Sequence, residues 1–207
     1  MLKLFTAAGT CALASHITLE ESGAPYEIAR LDFAREDQRK PDYLAVNPKG
    51  RVPALATTQG VLTETPAILV YLAQLFPAAK LAPIDDAWAL ARVQSINSYL
   101  CSTVHVAHAH RSRGKRWADD DAVVEALKKK VGANMIDCFA LIEAEMLQGP
   151  WVMGDTFSVC DAYLFTVARW LDGDGVDIAR FPKVAAHFKL MQARPAVQRV
   201  LAAYVAK

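Results

Sequence analysis

At 207 residues, 53% hydrophobic and 22% charged, the chain has a globular composition and enough length for two compact domains. Its 23 basic and 22 acidic residues leave a net charge of +1, so no global field exists to hold nucleic acid or an anionic membrane. No apolar run approaches the roughly 18 residues of a membrane span. The stretch Met1–Phe5 lacks the apolar core and cleavage site of a secretory leader, and a cytoplasmic protein is expected.

Residues 2–6 predict a short strand, Ala8-Gly9-Thr10 a turn, and residues 11–22 a helix with Leu13, Ile17 and Leu19 at helical spacing, ended by Gly23. Residues 26–33 alternate as a second strand, and a strand–helix–strand unit of this length is parallel and right-handed. Pro53–Ala56 and Val61–Thr63 predict two short strands joined by Thr57–Gly60, a connection of hairpin length, and hence antiparallel. Thr65 as cap and Pro66 as first helical residue open a helix to about Leu75.

Residues 77–86 contain Pro77 and Pro83 without periodicity and read as a linker between a domain of residues 1–76 and one of residues 87–207. Everything beyond it is patterned as helix, near 87–110, 121–147, 158–171, 182–193 and 195–205. Ser158-Val159-Cys160-Asp161 has the spacing of a capping box, and Ala162–Leu171 is apolar nearly all round, as the buried centre of the second domain should be.

The cysteines Cys11, Cys101, Cys138 and Cys160 form no C-x-x-C pair and read as reduced thiols, the last three as small hydrophobes within apolar helical patterns. Cys11 instead opens the first helix, where the positive end of the dipole favours a thiolate; a structural role and a reactive one both stay open. Pro53 at the head of a strand fits either a trans bond or a special cis turn. On the long helix, Gln94, Ser98, Cys101, His105 and His108 share one face, opposite an apolar stripe of Val93, Leu100, Val104 and Ala107. His105, His108 and His110 are not expected to hold a metal, for want of a nearby carboxylate or thiolate. The run from Asp172 through Asp174 to Asp177 looks like a calcium loop but has Val176 at a ligand position, so a solvated turn is expected, as is a solvated loop for Arg111, Arg113, Lys115 and Arg116 opposite Asp119–Asp121.

Val52-Pro53 followed by Glu64-Thr65 at a helix start, in a βαβ-ββα order with an all-helical second half, resembles the glutathione S-transferase family over the whole chain. The stretches Cys11–Leu19, Asn47-Pro48-Lys49-Gly50 and Asp161–Phe165 are similar to its bacterial beta class. The resemblance implies a thioredoxin-like α/β domain followed by an all-α domain, a cytoplasmic homodimer, glutathione as co-substrate with no metal, and a hydrophobic electrophile as second substrate. It implies a cis Val52–Pro53 bond with the Val52 backbone pairing to the cysteinyl unit, Glu64 and Thr65 on the γ-glutamyl end, and Arg35 reaching the glycyl carboxylate. Asn97, Ser98 and Ser102 would also bind glutathione. Cys11, His105 and Thr6 would be catalytic, with Thr6 standing where beta-class chains commonly carry Tyr. A glutathione-dependent disulfide reductase using Cys11, or a non-catalytic binding protein of the same fold, are the alternatives.

Overall fold

A computed structural model describes residues 1–205. Two compact units form: residues 1–94 together with residues 192–205, and residues 95–191.

In the first unit, β1 (Leu2–Thr6), α1 (Ala12–Ser22) and β2 (Tyr26–Arg30) make the expected crossover, with β1 and β2 parallel and Leu4 opposite Ile28. After a short α2 (Pro41–Val46), β3 (Ala54–Thr57) and β4 (Gly60–Thr63) form the antiparallel hairpin, β3 also pairing antiparallel with β1. The strand order is β2-β1-β3-β4, and α3 (Thr65–Leu75) follows. Alternation along the strands divides the apolar side chains between two faces. Leu2, Leu4 and Leu55 pack with Leu19 of α1 and with Ile68 and Leu72 of α3, whereas Phe5 joins Ala12, Tyr43 and Val52 on the side of α2. Burying a Leu or Ile of this kind contributes about 1.5–3 kcal/mol, so the face towards α1 and α3 is a substantial core. Gly23 ends α1 in the left-handed conformation, at φ 69°, where its N–H bonds the Glu20 carbonyl.

The last helix, α9 (Pro195–Val205), belongs to this unit and lies against α1. Arg194 makes a bidentate pair with Glu21 at 2.6 and 2.8 Å, and Arg199 reaches Glu20 at 2.5 Å. The Tyr204 hydroxyl bonds Thr6 at 2.7 Å and His16 Nδ1 at 3.2 Å.

α4 (Ala87–Tyr99) leads through a π turn, Leu100–Val104, into α5 (His105–Arg113), and Val93, Leu100, Val104 and Ala107 are buried. The second unit adds α6 (Asp121–Leu141), α7 (Val159–Ala168) and α8 (Pro182–Ala193). All ten residues of α7 are buried. The capping box is present: the Ser158 side chain meets the N3 backbone while Asp161 Oδ2 accepts from Ser158 N–H at 2.7 Å.

One expectation for this unit is corrected. The Asp172–Asp177 run is not a solvated turn throughout, because the Asp174 side chain is buried and paired with His108 at 2.8 Å and Arg111 at 3.6 Å. His108 therefore has the neighbouring carboxylate that the linear pattern lacked, supplied from 66 residues away.

Candidate active site

β1 delivers the chain to a tight turn in which the Thr10 hydroxyl donates to the Ala7 carbonyl at 2.7 Å, and Cys11 caps α1. Neither a side-chain cap nor an acidic residue occupies the first turn of α1, so the positive end of its dipole falls at Cys11. Cys11 is 7% exposed, and its thiol donates to the Val52 carbonyl at 3.6 Å. The Val52–Pro53 peptide is cis, the conformer the resemblance implied.

The segment before Pro53 is held from several sides. The Tyr43 hydroxyl and the Asn47 amide both donate to the Arg51 carbonyl, at 2.6 and 2.7 Å, and Asn47 Oδ1 accepts from Lys49 N–H at 3.2 Å. Gly50 takes φ 60°, and a Cβ there would come within 2.9 Å of the Gln38 carbonyl, so only glycine fits. This is the physical content of the Asn47-Pro48-Lys49-Gly50 motif.

Across from it, α3 begins one residue earlier than the sequence suggests. Glu64, not Thr65, is the cap, with Thr65 the first helical residue and Pro66 behind it. Glu64 has φ 75° and ψ 119°, a conformation that costs a side-chain-bearing residue about 1–3 kcal/mol and persists only where the surroundings impose it. Its side chain does not cap the helix; instead Oε1 accepts from Lys49 Nζ at 2.6 Å, and the same ammonium reaches Thr63 Oγ1 at 2.8 Å. The first intrahelical bond runs from Ile68 N–H to the Glu64 carbonyl at 3.0 Å, so the N–H groups of Thr65 and Ala67 precede the ladder and point out of the helix end. A carboxylate on an exposed side chain and an uncapped helix start thus lie side by side, complementary to an ammonium and a carboxylate on one ligand carbon.

Thr6 is fully buried, and its hydroxyl is engaged by Tyr204. That pair leads into a chain the linear sequence did not reveal: His16 lies between Tyr204 at Nδ1 and Tyr26 at Nε2, each at 3.2 Å, and Tyr26 donates to Glu20 at 2.5 Å. Burial lowers the His16 pKa to about 4, and hydrogen bonds from Tyr26 and Arg199 lower that of Glu20. Arg35 is exposed in the loop before α2.

In the second unit, His105 is the first residue of α5, and its N–H bonds the Leu100 carbonyl to close the π turn. Its ring packs against Trp170 at 5.0 Å. Ser98 and Ser102 are exposed, the Ser102 hydroxyl donating to the Ser98 carbonyl at 2.8 Å. Asn97 is fully buried, with neither amide atom hydrogen-bonded among the described residues. Also among the described residues, no group of three or more His, Cys, Asp or Glu could hold a metal, and no helix is long and apolar enough to cross a membrane.

A four-stranded sheet with a thiol at the start of its first helix, a cis proline facing that thiol and an all-helical partner unit defines a thioredoxin-like protein with a helical second domain. Residues 1–74 match the glutathione S-transferase N-terminal domain and residues 107–203 the C-terminal domain. The glutathione S-transferase GstA of Escherichia coli O157:H7 is 34% identical over 205 residues, 98% of each chain. The crystal structure of a glutathione transferase homologue from Sulfitobacter, with bound glutathione, superposes with a TM-score of 0.95 at 46% identity over 98% of each chain. The bacterial beta-class enzyme of Sphingomonas chungbukensis does so with a TM-score of 0.85 at 35% identity, again over 98% of each chain. The chain belongs to the glutathione S-transferase family and is similar to its beta class.

Proposed function

We propose that this glutathione transferase grips glutathione through the Glu64–Thr65 helix start and the Val52 backbone, and directs its thiolate onto a small hydrophobic electrophile. The observation that carries the reading is the α3 N-terminus, strained at Glu64 and capped by no side chain. Such an end offers N–H groups to the γ-glutamyl carboxylate, while Glu64 accepts from the ammonium. Val52 would pair with the cysteinyl unit as an added strand, beside the Cys11 thiol, and Arg35 would answer the glycyl carboxylate. From the second unit, His105 is assigned a catalytic role, and Ser98, Ser102 and Asn97 a part in holding glutathione.

Ionising a thiol completely near neutral pH raises its reactive fraction by at most about 30-fold, and the accompanying loss of nucleophilicity cancels much of that. Orientation of the electrophile against the sulfur must therefore supply most of the acceleration. Calorimetry with glutathione, and conjugation assays with an aryl halide and an epoxide, test the assignment. Binding at micromolar to millimolar concentration with turnover supports it; no heat at millimolar glutathione refutes it.

A second reading is favoured by one contact. The Thr6 hydroxyl is engaged by Tyr204, whereas the Cys11 thiol bonds the Val52 carbonyl, where a glutathione-dependent disulfide reductase would use it. Cys11→Ala separates the two: loss of disulfide reduction with conjugation retained favours the transferase, loss of both the shared use of Cys11. We further propose a cytoplasmic homodimer, in keeping with cysteines that are thiols and with the beta-class likeness. Sedimentation equilibrium giving the monomer mass would overturn the dimer.

A further inference from the structure

His105, His108 and Arg111 recur at three-residue spacing along α5 and meet the segment that leaves α7. Trp170 lies in that segment and is 8% exposed. The His108 ring stacks on its indole, with centroids 4.3 Å apart and planes 16° from parallel, while the His105 ring tilts against it at 5.0 Å and 53°. The same turn holds Asp174, whose N–H donates to the Trp170 carbonyl at 3.0 Å.

The Asp174 side chain is buried, and its two carboxylate oxygens lie 2.8 and 3.0 Å from His108 Nδ1. A carboxylate only accepts, so Nδ1 carries the hydrogen, and contact with both oxygens aligns the ring plane with the carboxylate. Arg111 approaches the same carboxylate at 3.6 Å, its guanidinium lying over Gly173 so closely that any Cβ there would strike it.

We propose that Asp174 and His108 are positioning residues: the carboxylate orients the His108 ring, that ring fixes the plane of Trp170, and Trp170 is the wall that sets the orientation of His105. Without the stacked partner, the indole regains rotamers that change its contact with His105. This rests on the reading of His105 as catalytic. The His108 pair is not needed to hold Asp174 in the fold, since Gln at 108 would still donate to the buried carboxylate; what Gln removes is the flat ring on Trp170.

The test uses the full chain and two readouts, the ring-proton NMR resonances of His105, assigned by their loss in His105→Ala, and steady-state conjugation of glutathione to an aryl halide. His108→Gln is expected to move the His105 resonances, because the ring current of Trp170 shifts with its plane, and to lower kcat about tenfold with the KM for glutathione within about twofold. His108→Phe, which restores a stacking ring without a donor to Asp174, is expected to return the resonances and kcat only in part. Asp174→Asn, keeping an acceptor of the same shape, should fall between the two and stands in if His108→Gln fails to fold. An impaired His105→Ala enzyme together with unmoved His105 resonances in His108→Gln and Asp174→Asn overturns the positioning role alone. Undiminished turnover in His105→Ala overturns the reading beneath it as well.

Discussion

The starts of α7 and α3 solve one physical problem in opposite ways. At α7, Asp161 is fully buried and accepts from Ser158 N–H, from Val152 N–H and from His187 Nε2 at 2.7, 2.7 and 2.9 Å. That helix end is closed by the protein itself. At α3 the acidic residue turns away to Lys49, the first-turn amides have no side-chain cap, and the backbone at Glu64 adopts a conformation only glycine takes freely. A helix end completed from within serves stability; one left incomplete is a place for a ligand.

The sharpest way to break this contrast is at the closed end. Asp161→Ala strands His187 and two backbone N–H groups in the interior and should cost about 3–5 kcal/mol of stability, measured by urea unfolding. A loss below about 1 kcal/mol would mean that the capping box is not the support the geometry implies.

Acid should act nearly as strongly on the first unit through His16. Its pKa is about 4 when folded against an ordinary 6.5, so the unfolded chain binds the proton first. The neutral, buried form stabilises the fold above pH 6.5, and up to about 3 kcal/mol is lost as pH falls from 6.5 towards 4. Urea midpoints measured across that window check it, with His16→Gln expected to flatten the dependence.

At the open end the signs separate. Glu64→Gln should weaken glutathione binding about tenfold or more by calorimetry, the worth of a hydrogen bond to a charged group, with little change in unfolding. Glu64→Gly should weaken binding too, yet raise the stability of the ligand-free protein by about 1 kcal/mol through relief of the positive φ. Equal stability losses at Asp161 and Glu64 would erase the distinction between the two ends. The smallest effect is expected for Lys49→Met: its pair with Glu64 is about half exposed on both sides, so stability should change by under about 1 kcal/mol and glutathione affinity only severalfold.

Much of the first unit was legible because its signals are local. The strands, the hairpin connection, Gly23 and the crossover are each written within a few consecutive residues, and so is the capping box of α7. The six-residue α2 was missed, being too short to display a period. The α3 cap was misplaced by one residue because Thr is the better capping residue by propensity, and only the surrounding turn holds Glu64 at φ 75°. Asp174 read as part of a glycine-rich polar turn because its partners lie on α5, far away in sequence.

By itself, then, the order of residues determined the strands and the longer helices, the strands' parallel and antiparallel pairing and the motifs around Val52-Pro53 and Glu64-Thr65, since each depends on neighbours along the chain. Only tertiary structure decided that α9 returns to α1, that the Thr6 hydroxyl is occupied by Tyr204 and that Asp174 clamps His108. Those contacts join residues 66 to 198 positions apart, and no local propensity encodes which distant polar group a buried one will meet.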